Sequence, residues 1–207
     1  MFYLKEFTQL VIQANGVTIT TEFKDIALGY DSTLAITMQG ELFGFGSNEY
    51  YQLGIGNHKN KDGHLPTRIL IDPNIKLIQA ACSRGSAHHC HGIVLDEEGA
   101  MYSFGSGYKF KLGTKNIDDQ PVPVKVDLLS NIKIAKIIPG GIHNLALTTE
   151  NSLVSFGCGS DGRLGHQESA NHHYLYKELE PRQISSLGNK VLLADSEYYF
   201  GVALCME

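Results

Sequence analysis

Short runs of alternating apolar and polar residues recur along the chain, as expected for half-buried β-strands. One set of runs ends in a turn: LAITMQG (34–40), IVLDEEG (93–99), LALTTEN (145–151) and the incomplete VALC (202–205). A second set carries a lysine every 57 residues: IKLIQAA (75–81), IKIAKII (132–138) and KVLLADS (190–196). A helical solenoid would show a 3.6-residue apolar period instead, so the pattern predicts an all-β chain of repeats.

A longer motif repeats with the strands and joins an aromatic-Gly pair to a Leu-Gly pair. Its three copies are LFGFGSNEYYQLG (42–54), MYSFGSGYKFKLG (101–113) and LVSFGCGSDGRLG (153–165). A proline follows each copy and starts an outer strand, where a missing N–H costs little: Pro66, Pro123 and Pro181. The repeat therefore has about four strands, which is the unit of a β-propeller blade.

The predicted fold is a partial β-propeller of three to four blades, each a four-stranded antiparallel sheet. The predicted repeats cover approximately residues 23–81, 82–138 and 139–196, with the start of a fourth at 197–207, in a single domain. Gly40, Gly99 and Asn151 occupy the tight hairpin and are expected to have positive φ. The other glycines that hold a fixed place in the repeat are Gly46, Gly54, Gly105, Gly113, Gly157 and Gly165.

The pattern Gly-x-x-His-x-x-Ala-Leu, followed by an aromatic-Gly pair and Gly-x-Leu-Gly, resembles the regulator of chromosome condensation repeat. The third copy matches best, with Gly140, His143, Ala146, Leu147, Phe156, Gly157, Gly162, Leu164 and Gly165. Other copies depart from the pattern: Ser32 and Phe200 replace the histidine, and Tyr51 and Phe110 replace the first glycine of Gly-x-Leu-Gly. WD-type repeats fit worse, because the chain has no tryptophan.

The resemblance implies a seven-bladed propeller, and the chain is too short for one. Three explanations stay open: a fragment of a longer protein, an open arc with capped ends, or a half-propeller that pairs with a second copy. We favour the fragment, because an open arc exposes two sheet edges. A homodimer that closes the ring is the alternative that solution mass would reveal.

Composition limits the setting of the protein. The net charge is −5 and the pI is about 6.0, so there is no general attraction to nucleic acid, which is an unlikely partner. The four cysteines form no CxxC pair, which predicts reduced thiols in an intracellular protein. A cytoplasmic location is the simplest, and a nuclear or organellar one stays open. No signal peptide and no membrane span of 18 apolar residues is apparent, so membrane insertion is not expected.

One loop is longer than its counterparts in the other repeats. From Lys76 to Ile93 is 17 residues, against 12 at the two matching places, and the extra residues end in His88, His89, Cys90 and His91. These four are weak metal candidates, because adjacent ligands on an extended segment point to opposite sides. His91 and His143 recur once per repeat, and we expect each to be structural and to hydrogen-bond the backbone of the neighbouring blade.

Aromatic and basic residues concentrate in two matching loops. The candidates for partner binding are Tyr50, Tyr51, Tyr108, Lys109, Phe110 and Lys111, together with His88 and His89 of the long loop. The alternative is that one aromatic of each loop packs inward where the family has glycine. His172, His173, Tyr174 and Tyr176 are expected to lie on the surface of an outer loop.

These features favour a non-enzymatic scaffold that binds a protein partner. No Ser-His-Asp arrangement, phosphate-binding GxxxxGK or HExxH motif is present, so no catalytic residue and no cofactor is predicted. Two alternatives differ in class. The resemblance implies guanine-nucleotide exchange on a small GTPase, and the His-rich loop raises a metal-dependent hydrolase.

Overall fold

The computed structural model describes residues 10–14, 17–59, 64–127, 132–167 and 176–206. A hairpin comes first, formed by β1 (Leu10–Ala14) and β2 (Val17–Thr21), which the repeat pattern did not predict. The first four-stranded antiparallel sheet, blade 1, follows. Its strands are β3 (Phe23–Leu28), β4 (Ser32–Thr37), β5 (Leu42–Gly46) and β6 (His64–Ile69).

Two further blades repeat this order of strands. Blade 2 contains β7 (Leu77–Cys82), β8 (His91–Asp96), β9 (Met101–Gly105) and β10 (Gln120–Lys125). Blade 3 contains β11 (Ile134–Pro139), β12 (His143–Thr148), β13 (Leu153–Cys158) and β14 (Lys177–Gln183). A two-stranded half-blade ends the described chain, with β15 (Val191–Ser196) and β16 (Gly201–Cys205). The all-β, partial-propeller prediction is confirmed.

The strand boundaries change one detail of the sequence interpretation. We expected the strand at 75–81 to complete the first repeat, but β7 pairs with β8 and opens blade 2. The same shift holds for β11 and β15. The alternation of residues shows that a strand exists, but the hydrogen-bond partner of that strand depends on the turn that connects it. The inner strands β3, β7, β11 and β15 lie beside one another along the arc.

The core lies in the junctions, which are the spaces between facing sheets of consecutive blades. Phe104 of β9 packs with Leu34 and Ile36 of blade 1 in the first junction. Phe156 of β13 packs with Ile93 of blade 2 in the second. Because one blade supplies the aromatic and the previous blade supplies the aliphatic wall, a single repeat cannot bury its own apolar residues.

Side chains of the inner strands also join the blades. The Asp25 carboxylate accepts a hydrogen bond from the Ala80 N–H at 2.6 Å. Gln79 makes two bonds to Ile137, donating to its carbonyl oxygen at 3.0 Å and accepting from its N–H at 2.9 Å. These bonds satisfy backbone groups at the inner edge of the following sheet, which would otherwise lack a partner in the sheet.

The repeat glycines have the backbone that the sequence analysis expected. Gly40 and Gly99 have φ of 86° and 83°, and Asn151 has φ of 59° at the same turn. All six other repeat glycines also have positive φ: Gly46, Gly54, Gly105, Gly113, Gly157 and Gly165. A side chain at these places would meet the strain of the left-handed region.

The cysteines are free thiols in the described part of the chain. Cys82, Cys90 and Cys158 are buried, and Cys205 is half-buried. In the same part of the chain, no helix is long and apolar enough to cross a membrane.

Candidate functional site

Residues 83–90, the long His-rich loop, form a strap on one loop face of the propeller. The strap is fixed to blade 2 by its own hydrogen bonds. The Ser83 hydroxyl donates to the His89 carbonyl at 3.2 Å, and the Ser106 hydroxyl donates to the His88 carbonyl at 3.1 Å. The loop is therefore held at both ends and does not project freely into solvent.

The strap crosses the inner end of blade 3 and reaches the half-blade. The Arg84 N–H donates to the Gly140 carbonyl at 3.3 Å, and the Arg84 guanidinium forms a hydrogen-bonded ion pair with Glu197. The His89 imidazole Nδ1 lies 3.0 Å from the Tyr198 hydroxyl oxygen. The additional residues that the sequence shows in this loop thus provide the length to join blade 2 to the half-blade.

Six rings from different blades lie on this face in two groups, one of Tyr50 and His88 and one of Tyr108, His89, Tyr198 and Tyr199. Ring centroids are 4.9 Å apart for Tyr50 and His88, 5.2 Å for His89 and Tyr108, and 4.3 Å for Tyr198 and Tyr199. We name these six residues the aromatic row. Tyr108 and Tyr199 are 48% and 64% exposed, so the row offers accessible ring surface.

A buried polar layer supports the row. The Asn144 side-chain amide donates to the Lys111 carbonyl at 2.5 Å, so the Asn144 Oδ1 faces His91 and accepts a hydrogen bond from His91 Nε2 at 2.9 Å. Burial, with a smaller contribution from the Lys111 ammonium, lowers the pKa of His91 to about 3. His91 is therefore neutral at physiological pH and acts as a structural hydrogen-bond donor.

His143 occupies the same place in the next repeat. Its Nε2 lies 3.1 Å from the Ser196 hydroxyl of the half-blade, and burial lowers its pKa to about 4. The expectation that the two histidines bond across blades is correct. The expectation that the partner in the neighbouring blade is backbone is wrong for both, because Asn144 and Ser196 are reached through their side chains. His91 Nδ1 does lie 3.3 Å from a backbone oxygen, but it is the His89 carbonyl of its own loop.

Lys111 does not lie on the surface. Its side chain is fully buried, with Nζ donating to the Ser106 hydroxyl at 3.0 Å and to the Tyr108 carbonyl at 3.2 Å. Burial lowers its pKa to about 7. Lys111 thus supports the loop from inside, and its side chain is not accessible to a partner.

The remaining candidates of the two matching loops are half-buried. Tyr51 and Phe110 have φ of 61° and 62°, which is the backbone of the glycine that they replace. A lysine lies over each ring, Lys59 at 4.3 Å from the Tyr51 centroid and Lys177 at 4.5 Å from the Phe110 centroid. The Tyr51 ring therefore lies beside its own loop and the Phe110 ring beside β14 of blade 3, and neither has a ring contact with the row among the described residues.

Lys109 stands at the edge of the row. Its Nζ lies 5.5 Å from the centroid of the Tyr108 ring, a distance typical of a cation–π contact. Its backbone has φ of 63°, so this loop holds two consecutive residues in the left-handed region. Lys109 stays a surface candidate.

The four metal candidates diverge. The His88 ring contacts Tyr50, the His89 ring faces Tyr198, and His91 points inward to Asn144. The Cys90 thiol lies against the Gly85 and Ser86 carbonyls, and burial, followed by the Asp31 carboxylate, raises its pKa to about 12. Among the residues described, no group of three or more His, Cys, Asp or Glu could hold a metal ion.

Several row and strap residues escaped the sequence analysis. Arg84, Glu197, Tyr198 and Tyr199 carry no motif. A signal did exist, because SEYYF (196–200) occupies the repeat place that the end of the strap occupies in blade 2. His172, His173 and Tyr174 lie outside the described residues, and Tyr176 is half-buried beside Glu178.

Two family models identify the repeat. One model for the regulator of chromosome condensation (RCC1) repeat matches residues 39–88 and 98–147, and a second model with the same description matches residues 23–52. Together the matches cover more than half of the chain. The chain belongs to the RCC1 repeat family. The family matches cross blade boundaries, because each sequence repeat begins inside one sheet and ends in the next.

Curated relatives share RCC1 repeats over part of their length. The ultraviolet-B receptor UVR8 of Arabidopsis thaliana is 32% identical over 142 residues, covering 69% of this chain and 31% of UVR8. The mitochondrial RCC1 domain-containing protein RUG3 of the same plant is 31% identical over 156 residues, covering 75% of this chain and 34% of RUG3. The chain thus spans about a third of the length of these two relatives.

Solved structures share the RCC1 fold. Human WBSCR16 has a TM-score of 0.73 at 24% identity and covers 93% of this chain, which spans 48% of it. Prp20p of Saccharomyces cerevisiae has a TM-score of 0.69 at 19% identity, with 93% of this chain and 47% of Prp20p covered. At these identities the likeness shows the propeller architecture.

Proposed function

We propose that this chain is a protein-binding scaffold that uses the aromatic row as its contact surface. The observation that carries the proposal is the gathering of six rings on one loop face, in a pair and a connected group of four that come from two loops, the strap and the half-blade. Tyrosine is enriched at the energetic centres of protein interfaces, because it offers large apolar area and a hydroxyl on one side chain.

The setting of the row supports a binding role. The strap and the buried His91–Asn144–Lys111 layer hold the rings before any partner arrives, which lowers the entropy cost of binding. Arg84 and Lys109 provide cations, and Glu197 and Asp195 provide carboxylates, at the margin of the row. Such a polar margin around apolar rings suits a folded protein surface.

The test compares matched surface variants of the full chain as bait in quantitative affinity capture. His88→Ala with Tyr108→Ala removes two row rings, while Met38→Ala removes a 53% exposed side chain from the opposite loop face. The captured amount of a partner that binds the row should fall at least tenfold with the row variants. It should be unchanged with the Met38 control. A partner set that survives the row variants would contradict the proposal.

The exchange-factor alternative needs a separate measurement. Prp20p has binding properties toward Gsp1p and histones, and for this chain a small GTPase is one class of protein that could contact the row. The experiment is release of a fluorescent guanine nucleotide from a panel of small GTPases, with and without the chain. Stimulated nucleotide release that is lost with the row variants would support the exchange-factor alternative and assign the activity to the row.

A further inference from the structure

Three lysines on the loop face that carries the strap each lie over an aromatic ring. The distances from Nζ to the ring centroid are 4.3 Å for Lys59 over Tyr51, 5.5 Å for Lys109 over Tyr108 and 4.5 Å for Lys177 over Phe110. Lys59 and Lys177 are exposed, and Lys109 is half-buried. We name these three residues the lysine set, and one of them comes from each of the three four-stranded blades.

The charge of the lysine set is not neutralised within the part of the chain that the structure describes. None of the three ammonium groups has an ion pair there. The carboxylates that follow Lys177 on β14 are already engaged, since Glu178 binds Arg182 at 2.7 Å and Glu180 binds Lys115 at 3.0 Å. An aromatic ring attracts an ammonium group but carries no net charge, so it leaves the positive charge in place. Each lysine of the set can therefore still bind a carboxylate.

The rings beneath two of these lysines occupy strained positions. Tyr51 and Phe110 have left-handed backbones, with φ of 61° and 62°, at a place where the third copy of the motif has Gly162. Glycine avoids that strain, so an aromatic residue that persists there points to a role of its side chain. The contacts define that role, which is to hold the ammonium groups of Lys59 and Lys177 over the loop face.

The rings of this face already have cations of their own. Besides Lys109, the Lys111 Nζ lies 5.7 Å from the Tyr108 centroid, and the Arg163 guanidinium lies 5.4 Å from the Tyr199 centroid. A ring that already holds a cation attracts a second one less, because the two cations repel each other. A nucleobase would need a free ring face for stacking. The arrangement therefore favours carboxylates over basic side chains and over nucleic acid.

One carboxylate opposes the lysine set at blade 1. Burial, followed by the Glu49 carboxylate, raises the pKa of the Tyr50 hydroxyl, whereas Lys59 lowers it. Glu49 and Lys59 thus act on the same member of the aromatic row in opposite directions. Glu49 is half-buried, and its carboxylate has no hydrogen bond or ion pair among the described residues. Removal of this charge therefore strengthens the positive field without breaking a contact of the loop.

We propose that the lysine set selects an acidic loop of the partner protein, with carboxylates bound to Lys59, Lys109 and Lys177 while apolar side chains of that loop contact the aromatic row. This inference rests on the proposed scaffold function and names the chemistry of its partner. The chain has a net charge of −5, so an acidic partner is repelled by the molecule as a whole and attracted to this face. Such complementarity fixes the orientation of the encounter and excludes partners of the wrong charge.

The probe is a fluorescent synthetic peptide, EDFEDLE, titrated into the full chain and followed by anisotropy. It should bind saturably, and its affinity should decrease with added salt because the ammonium groups lie at the surface. The uncharged peptide QNFQNLQ should bind more weakly by about tenfold or more, since it keeps the apolar residues and lacks the carboxylates. Tighter binding of the basic peptide KKFKKLK or of oligothymidylate, or no binding of EDFEDLE at millimolar concentration, would overturn the proposal.

Two triple variants with the same change in net charge locate the binding. Replacement of the lysine set by Lys59→Gln, Lys109→Gln and Lys177→Gln should lower the affinity for EDFEDLE by about tenfold or more at low salt. The matched control changes three exposed lysines of the opposite loop face and should leave the affinity nearly unchanged: Lys76→Gln, Lys133→Gln and Lys190→Gln. Glu49→Gln should instead raise the affinity by about twofold. Equal losses in the two triple variants would show unspecific charge attraction and would refute the lysine set.

Affinity capture with the lysine-set variant separates this inference from the scaffold proposal. Captured partners should be lost with that variant as well as with the His88→Ala and Tyr108→Ala variants. Partners that are lost only with the ring variants would contradict the acidic-loop inference and leave the scaffold function in place. Partners that survive both sets of variants would contradict the scaffold function itself.

Discussion

The first two junctions of this arc, which a phenylalanine ring closes, and the open junction between blade 3 and the half-blade contain the same kinds of residues in different environments. Gly54 and Gly113 are covered by phenylalanine rings, whereas Gly165 is exposed. At the other end of the arc, Phe45 has the place of Phe104 and Phe156 but is only half-buried. Burial in a propeller therefore depends on the neighbouring blade, and the residue type alone does not determine it.

The largest expected effect comes from removing the phenylalanine ring in each environment. Phe104→Ala should lower the free energy of unfolding by about 3–5 kcal/mol, because it leaves a cavity in a closed junction. Phe45→Ala should cost about 1 kcal/mol or less, because its ring already contacts solvent. Urea denaturation at neutral pH measures both. Similar losses of unfolding free energy in the two variants would contradict the half-buried position of Phe45.

Acid should weaken a closed junction through His91. The folded pKa is lowered to about 3 from an ordinary 6.5, so the unfolded chain binds the proton first as the pH falls. Stability should decline between pH 6.5 and about 3, by at most about 1.4 kcal/mol per pH unit from this group. His91→Gln should flatten that slope, as measured by urea midpoints from pH 6.5 to 4.5.

The matched control for the acid effect is His88→Gln on the exposed strap, which should keep the wild-type slope. His143, with a pKa lowered to about 4, would supply the part of the slope that remains in the His91 variant. If His91→Gln leaves the slope unchanged, the imidazole of His91 in the native chain binds its proton in the folded state as readily as in the unfolded chain.

A smaller effect distinguishes equivalent glycines. Alanine at Gly54 or Gly165 meets the same left-handed backbone, at φ of 65° and 71°, and should cost about 1 kcal/mol at either place for that reason. Gly54→Ala also pushes against the Phe104 ring, so it should cost roughly 1 kcal/mol more. Thermal unfolding of the two variants compares them, and a larger loss at Gly165 would contradict this difference in packing.

The smallest expected effect concerns the tie between strap and half-blade. Arg84 and Glu197 are about half exposed, so a double-mutant cycle with Arg84→Ala and Glu197→Ala should give a coupling of about 0.2–1 kcal/mol. The coupling should decrease with added salt. A coupling that salt leaves unchanged would indicate that packing, and not charge, joins the two segments.

Much of the fold follows from the sequence, because glycine positions and residue alternation are local properties. Gly40, Gly99 and Asn151 adopt the predicted backbone at the hairpin turn. The partner of each strand was harder to predict, and β7 was assigned to the wrong sheet for that reason. Hairpin β1–β2 lies outside the repeats and offers no second copy for comparison.

The candidate site was predictable only in part. The aromatic loops and the His-rich loop stand out in composition, so four row members were among the candidates. Tyr198 and Tyr199 were not, because they are about 110 residues from His89 in sequence and only the curvature of the arc brings them near. The burial of Lys111 was unexpected because a lysine between aromatic residues is typical of a surface loop.

The strap also changes how this protein should open. Repeat arrays unfold with nearest-neighbour cooperativity, since each unit contacts only the units beside it. Residues 83–90 join blade 2 directly to the half-blade, so they add a second-neighbour term to that one-dimensional scheme. Local opening of β15 and β16 would then have to release the strap. Such opening should therefore lower the local stability of blade 2, although blade 3 lies between them.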